Sequence, residues 1–294
     1  MIGTATALCA TPTSPNDHSR LSATLRVATI GHRIAISNVG QCHRTAPLTG
    51  LLLHHVSAYD ENIRATITQH YHISDGFGVL DVVEKSAADT AGVISGDEII
   101  AINALPLSAM NLPELHSKAS YNLIETFSTR LTGALRRGQT TLTIRRRGET
   151  HSVILEPQIG CSAPVVLVTD ARPDAWSDEN NAAVTQGLVN AAGDDELAFA
   201  IAHEMAHVIL AHAAQPHGPL VKFGIGGKRS RQREFEADRL GIIMTLQANY
   251  HEDGAEAFLT RISRIKGSGL SLTHPSLKVR LDAIQKTAAN HPSK

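Results

Sequence analysis

One short stretch of the sequence carries residue types that are suited to metal chemistry. The run His203-Glu204-Met205-Ala206-His207 places two histidines four residues apart. On an α-helix this spacing puts both imidazoles on one face, one turn apart, where two ring nitrogens can meet one ion. The glutamate after the first histidine then projects beside the ion, within reach of a bound water. The pattern therefore indicates a metal site that can act on a water molecule.

The third metal ligand is not in this run. A catalytic zinc typically takes three protein ligands and one water. A metzincin would need a glycine three residues after His207 and a histidine six residues after it, where this chain has Leu210 and Ala213. His212 falls one residue short and would lie about 140° round a continued helix from His207, so we interpret it as a packing or helix-end residue. The third ligand should be a carboxylate on another helix.

A second charged run supplies the candidate carboxylates. Residues 233–239 read REFEADR and open an apolar-periodic segment. Glu234 and Asp238 are four residues apart and share one helical face, whereas Glu236 points away from them. We expect one carboxylate to bind the metal and the other to orient a ligand histidine. Spacing alone leaves open which of the two does which.

The sequence also predicts the helix and the strands that position these residues. Asp194 is predicted as the N-cap of the HEMAH helix, with Asp195 and Glu196 in the first turn, where the helix dipole favours negative charge. Pro216 follows the predicted helix end. The helix is largely apolar and should be buried. Before it, APVVLVTD and NNAAVTQGLV are predicted to form strands.

Taken together, HEMAH followed by EFEAD resembles the gluzincin family forty-eight of metallopeptidases, over about residues 160–290. That family includes HtpX-like and CaaX-prenyl proteases and periplasmic quality-control proteases. NAAVTQGLV matches the strand before its active-site helix, and THPSLKVR matches its His-Pro-x₄-Arg stretch. The resemblance implies that His203, His207 and Glu234 bind one Zn²⁺ per chain and that Glu204 is the general base.

The same resemblance implies further roles. Asp238 would orient a ligand histidine without binding the metal. His274 would lie over the zinc as a plug or a transition-state aid, and Arg280 would support it. An extended substrate would lie along an edge strand and be held by backbone hydrogen bonds. That edge strand contains Asn181, Ala182 and Ala183.

Upstream, residues 66–157 have a different texture, with short β-type runs and one predicted helix, typical of a small, partly open barrel. A hairpin is predicted to turn at Arg147-Gly148. This stretch resembles a PDZ domain of the bacterial protease-associated kind, because GFGV, AGV and GDEII match its motifs. The resemblance implies that a loop binds a C-terminal carboxylate through backbone N–H groups, while the neighbouring strand edge pairs with the ligand.

That loop consists of Gly76, Phe77, Gly78 and Val79. The alternative is that Gly76 and Gly78 are only turn residues.

Composition excludes several other classes of protein. Lys plus Arg is 27 and Asp plus Glu is 28, giving a formal net charge of −1, which argues against a nucleic-acid partner. The basic runs at 145–147 and 228–233 are therefore interpreted as solvated loops. The sequence has no apolar stretch of about 18 residues, so no transmembrane helix is expected. Three widely spread cysteines indicate neither a disulfide framework nor a CxxC zinc site.

The predicted fold is α+β: a mostly helical HExxH zinc-protease domain with a small edge sheet, and a PDZ-like β-barrel domain inserted after an N-terminal helix. The expected segments are a flexible tail at 1–20, a helical segment at 21–65 that packs on the protease, the PDZ-like domain at 66–157 and the protease domain at 158–290. The glycine-rich segment 218–227 is predicted to be a mobile lid or an ordinary loop.

The expected function is zinc-dependent endoproteolysis of protein substrates in quality control, with the PDZ-like domain recruiting C-termini or regulating access. One alternative is a zinc-stabilised binding or chaperone-like protein with latent or absent proteolysis. Another is an exopeptidase, although no terminus-recognition residue is evident. The resemblance favours the bacterial envelope or periplasm, although no signal peptide is evident. The other expected location is the cytoplasm.

Overall fold

A computed structural model describes residues 18–214, 227–266 and 275–291. The chain is α+β and divides into two compact units. The described part of the first unit comprises residues 18–32 and 45–160, and that of the second begins with 33–44 and continues from 161. No helix in the described part is both long and apolar enough to span a bilayer.

The first unit consists of four helices and eight short strands among the described residues. In chain order these are α1 His18–Ser37, β1 Thr45–Leu48, β2 Leu51–His54, α2 Glu61–Tyr71, β3 Phe77–Val82, α3 Ala87–Thr90, β4 Glu98–Ile102, β5 Leu105–Pro106, α4 Asn122–Leu135, β6 Thr140–Arg146, β7 Glu149–Leu155 and β8 Gln158–Cys161. The last residues of α1 and of β8 belong to the second unit.

An antiparallel sheet forms the centre of the first unit. Its strand order is β2-β3-β4-β6-β7, with β5 pairing β4, while β1 pairs β8 separately. The predicted hairpin β6–β7 is confirmed: it turns at Arg147 and Gly148, which both have positive φ, as a two-residue hairpin turn requires. Phe77 on β3 stacks on Phe127 of α4 with ring centroids 4.2 Å apart. The sheet and α4 therefore share one apolar core.

Strand β2 is an element that the sequence analysis did not predict. All four of its residues are buried, and so short an apolar run, without alternation, does not distinguish a strand from a helix. Its Leu52 packs in one cluster with Ala28 of α1 and with Val83. Residues 18–32 and 45–65 therefore belong to the first unit, whereas the sequence analysis expects 21–65 to pack on the protease.

The second unit surrounds one buried helix. Its elements after residue 161 are β9 Val165–Val168, β10 Ala175–Ser177, β11 Ala182–Thr185, α5 Gln186–Ala191, α6 Asp194–Ile209, α7 Gly227–Gln247, α8 Asp253–Lys266 and α9 Leu277–Ala289. Helix α6 packs against β10, β11, α7 and α8. Six consecutive residues of α6, 197–202, have no exposed surface. The metal motif follows directly and is held in this rigid setting.

Helix α7 approaches α6 closely at the motif. A Cβ added at Gly241 would lie 3.1 Å from the Cα of His203, a contact at which a larger residue would push the two helices apart. The end of α1 also packs in this unit, because the Asn38 side-chain amide donates to the carbonyl of Met244 on α7 (3.0 Å). The close backbone contact between α6 and α7 therefore fixes how far the side chains of α7 are from the two motif histidines.

A disulfide corrects the expectation drawn from the cysteines. Cys42 and Cys161 are bonded, with their Cα atoms 5.5 Å apart and 119 residues between them in sequence. Beside them the Ser162 N–H donates to the Arg44 carbonyl (2.9 Å). Both cysteines lie in the second unit, where the chain leaves for the first unit and returns from it. Only the meeting of these two chain segments makes the pairing possible, so spacing could not reveal it.

Candidate active site

Helix α6 delivers both motif histidines to one point. The helix starts at Asp194 after Gly193 as N-cap, one residue earlier than predicted, and its first turn is acidic. Glu196 in that turn is fixed by two hydrogen bonds from the Arg261 guanidinium, at 2.6 and 3.0 Å. Two turns further on, His203 and Glu204 are buried, at 4% and 7% exposed. The local fold therefore immobilises the two motif side chains before any ion is considered.

Three candidate ligands converge beneath α7. The Nε2 atoms of His203 and His207 lie 3.2 Å apart. Each of them is 3.8 Å from an oxygen of Glu234 on α7. One ligand atom from each residue lies within 4.8 Å of the other two, which is a separation that one ion can bridge. This is the one such group of His, Cys, Asp or Glu side chains that the described ranges contain.

Asp238, one turn after Glu234, faces the other side of the first histidine. Its Oδ1 lies 3.1 Å from Nδ1 of His203. The Arg280 guanidinium from α9 donates to both oxygens of Asp238, at 2.6 and 2.7 Å, and lies 3.4 Å from Glu234. Glu234 therefore lies towards the common point, and Asp238 lies behind His203. Arg280 supports both carboxylates.

The donor set fits a divalent cation. A carboxylate can only accept, so in the neutral His203 ring the hydrogen sits on Nδ1, facing Asp238, and Nε2 presents a bare lone pair. That lone pair points at Nε2 of His207 and at the anionic carboxylate of Glu234. All three groups are acceptors, and a metal ion between them would satisfy them. Two imidazoles and one carboxylate are a ligand set that is also found in catalytic zinc sites, which keep a fourth position open.

The charge states of the site follow from burial and from its neighbours. Burial, and then the proximity of His203, lowers the pKa of His207 to about 3, which keeps its ring neutral at physiological pH. Burial works to raise the pKa of Asp238, but Arg280 and His203 outweigh it, so that this pKa lies below its ordinary value. The site therefore presents a neutral ligand ring beside an ionised carboxylate.

Glu204 has a partner outside the helix. The Ser177 hydroxyl, at the end of β10, donates to its Oε2 at 2.9 Å. This contact orients the carboxylate that the sequence analysis predicts as the base. Ser177 belongs to no sequence motif and lies 27 positions from Glu204, so no local pattern connects the two residues.

The predicted substrate edge strand is wrong in its position. Ala182 and Ala183 lie on β11, which pairs with β10 on one side and with β9 on the other, and Asn181 immediately precedes it. A central strand has no free backbone groups for a substrate. In the described sheet the edge next to Glu204 belongs to β10, whose Trp176 is 43% exposed.

The predicted carboxylate-binding loop is also arranged differently. The backbone N–H groups of Ser74, Asp75 and Gly76 all donate to one oxygen of Glu98, at 2.7 to 3.0 Å. The residues from Phe77 to Val79 lie on β3, which pairs with both β2 and β4. The resemblance implies a free strand edge next to this loop, but β3 is an interior strand, since β2 and β7 are the edges of the described sheet.

Two residues that the sequence analysis set aside belong to the site. His212 is 3% exposed, and its Nδ1 lies 2.9 Å from Nδ1 of His207. Its Nε2 lies 3.1 Å from Glu236 on α7.

His274 lies outside the described residues, as does the predicted lid apart from Gly227.

A buried helix with HExxH, joined by a glutamate from the next long helix, defines the metal centre of a metallohydrolase. The comparison with protein families agrees: residues 147–218 and 219–288 match Peptidase family M48. The chain is accordingly a metallopeptidase.

The other comparisons add little. No match was found among curated proteins. Among solved structures, 40% of this chain is similar to 89% of the chain in "Crystal Structure of the HtrA3 PDZ Domain Bound to a Phage-Derived Ligand (FGRWV)", with 17% identity and a TM-score of 0.28. A TM-score this low carries no argument about the fold.

Proposed function

We propose that this metallopeptidase is a zinc-dependent endopeptidase that hydrolyses internal peptide bonds of protein substrates. The observation that carries the proposal is the convergence of His203, His207 and Glu234, with Glu204 on the same helix as the two histidines. An ion bound there would supply a water of lowered pKa and polarise the scissile carbonyl.

The side chains around that point divide the remaining work. Glu204 takes the proton of the attacking water and later donates it to the leaving amine. Ser177 keeps one oxygen of Glu204 in place through its hydrogen bond. Asp238 and Arg280 hold His203 from behind, so that the ring does not rotate away when a substrate enters.

We propose that the substrate lies extended along the free edge of β10. Backbone groups on a strand edge can pair with any extended peptide, independently of its side chains. Ala175 and Ser177 alternate with Trp176 along this strand, and Ser177 contacts Glu204. A peptide paired with this edge would therefore pass beside the base. A substitution of Ser177 by proline would remove a backbone donor from this edge and also the hydroxyl that bonds to Glu204, so it should raise KM and lower kcat.

The first unit is proposed to recruit protein substrates or to regulate their access, with quality control as the setting. The support is the PDZ-like sequence motifs and the free edges of the sheet. Free peptides with apolar C-termini should then compete with cleavage of a protein substrate and leave cleavage of a short peptide unchanged. Equal inhibition of both substrates, or none, would contradict this role.

The disulfide supports a location for this activity. Disulfides form and persist in oxidising compartments and are rare where thiol reductants are abundant. We propose, from the Cys42–Cys161 bond, that the chain works in such a compartment, as the envelope location expected from the sequence would provide. Alkylation of the protein isolated from its native cells should leave these two cysteines unmodified until a reductant is added.

The central experiment compares wild type with Glu204→Gln. Both proteins should bind one zinc per chain, measured by elemental analysis, while cleavage of unfolded protein should fall by about 10²–10⁴-fold in the variant, since it loses the general base. Glu256→Gln, an exposed change on α8, is the matched control and should leave cleavage unchanged.

Retained cleavage in Glu204→Gln would remove the assignment of the base. Zinc binding without cleavage in the wild type would instead favour the alternative of a binding or chaperone-like protein.

A further inference from the structure

The turn that ends α6 places a third histidine at the metal site. The N–H of Ala211 donates to the carbonyl of Val208 (3.1 Å), and the N–H of His212 donates to that of His207 (3.0 Å). Together these two bonds form a Schellman motif, which requires a left-handed residue at its centre. Ala211 supplies it with φ of 52°, although the Cβ of a residue other than glycine makes that conformation unfavourable.

The motif dictates which side chains meet. It folds the residue after the left-handed position back onto the last full turn, where an apolar contact is usual. Here the two residues are His212 and His207, and their Nδ1 atoms approach to 2.9 Å. On a continued helix His212 would lie about 140° away, which is why its spacing suggested no role.

The partner of the other His212 nitrogen, Nε2, determines which ring donates in this contact. Nε2 of His212 lies 3.1 Å from Oε2 of Glu236, and a carboxylate accepts, so this nitrogen carries the hydrogen. In a neutral ring Nδ1 of His212 is then an acceptor. His207 must therefore donate from its own Nδ1, which leaves its Nε2 as a bare lone pair facing Glu234.

We propose that His212 is a positioning residue for the metal ligand His207, and that Glu236 fixes the tautomer of His212. Gln232, one turn earlier on α7, donates to the other oxygen of Glu236 at 2.9 Å and so holds that carboxylate in place. The arrangement matches the one at His203, where Asp238 is the acceptor behind the ring. This inference rests on the proposed metal site.

The experiment measures metal binding by the full chain. His212→Leu provides an apolar contact in the Schellman motif but removes the acceptor for the Nδ1 hydrogen of His207. His212→Gln provides an acceptor again. Zinc affinity is measured by competition with a chromophoric chelator, the ligand geometry by the visible absorption of the Co²⁺ form, and folding by the melting temperature of the metal-free protein.

We expect His212→Leu to weaken zinc binding by about 10–100-fold, the range seen for such outer partners of a ligand histidine, and to alter the Co²⁺ spectrum. Its metal-free melting temperature should stay within a few degrees of wild type. His212→Gln should recover part of the affinity. Glu236→Gln should lose less, because Glu236 is 44% exposed and water can replace it. The control Glu256→Gln should match wild type.

Wild-type affinity and an unchanged Co²⁺ spectrum in His212→Leu would overturn the proposal. Equal losses in the Leu and Gln variants, together with a lower metal-free melting temperature, would overturn it too, because they would mark a purely structural role. If either result is obtained while the wild-type protein binds zinc and cleaves its substrate, the role of His212 is rejected and the proposed endopeptidase activity is retained. A wild-type chain that binds neither Zn²⁺ nor Co²⁺ overturns the endopeptidase itself.

Discussion

Both units of the molecule bury histidines, and the difference lies in what the rings face. In the first unit His54 is 1% exposed, with its Nδ1 3.2 Å from the Tyr59 hydroxyl and the Tyr71 ring edge-on at 4.5 Å. In the second unit His203 is similarly buried, at 4% exposed, but its outer nitrogen faces the carboxylate of Asp238.

Burial alone therefore does not mark a functional histidine. A phenol and an aromatic face satisfy His54 as a neutral ring in an apolar core, and burial lowers the pKa of this ring to about 3. A carboxylate behind a ring instead fixes the hydrogen on the outer nitrogen and directs the inner lone pair at an ion. The partner of the second nitrogen, more than the depth of burial, distinguishes a ligand from a core residue.

The most direct test of this difference between the two units is to replace one buried histidine in each. His203→Ala should weaken zinc binding by more than about 100-fold, since loss of a ligand exceeds the 10–100-fold cost of losing an outer partner. His54→Gln should leave zinc affinity within about 2-fold of wild type. Chelator competition on the full-length proteins measures both. A loss of zinc affinity in His54→Gln would contradict the division.

The disulfide offers a second contrast, because its loop contains residues 45–160, the larger part of the first unit. Closing a loop of 119 residues stabilises the folded chain by about 4–5 kcal/mol when that loop is disordered in the unfolded state. We expect this loss in unfolding free energy when the bond is reduced, measured by denaturant titration with and without a reductant.

A loss of only about 2 kcal/mol would show that the first unit stays folded and keeps the loop ends together through β1 and β8. The two units would then unfold separately. The double variant Cys42→Ser, Cys161→Ser, which should resemble the reduced protein, is the control for side effects of the reductant.

A third contrast concerns the pH dependence of the first unit. Burial, with the neighbouring His55, lowers the pKa of His54 to about 3. Burial and Arg64 lower that of His55 to about 4, against the opposing effect of Glu98. The unfolded chain, with an ordinary pKa near 6.5, binds more protons, so stability is present above pH 6.5 and is lost as pH falls towards 4.

Each of these histidines should contribute about 1.4 kcal/mol per pH unit in that window. Hydrogen exchange of β3 and β6 amides between pH 4.5 and 7, corrected for intrinsic rates, measures the slope. His54→Gln should reduce it. An unchanged slope in that variant would assign the acid sensitivity to other groups.

Much of the site was open to prediction because its chemistry is local. The i, i+4 spacings of His203 with His207 and of Glu234 with Asp238 each describe one helical face, and both helices form. The hairpin at Arg147-Gly148 is equally local, since its turn needs only two residues of positive φ. By contrast, the short strand β2 and the pairing order of β11 depend on long-range contacts that no local pattern contains.

The metal motif, the acidic start of its helix and the resemblance of the protease part to its family could be read from the sequence, because these depend on spacing within single helices. Three contacts depend on packing between distant segments: Ser177 holds Glu204, β10 rather than β11 is the edge of the described sheet, and Cys42 meets Cys161. The tertiary structure also determines the position of His212, because one left-handed residue reverses the chain and brings this ring back onto His207. Contacts across a chain reversal or between elements are set by packing, and spacing along the sequence does not encode them.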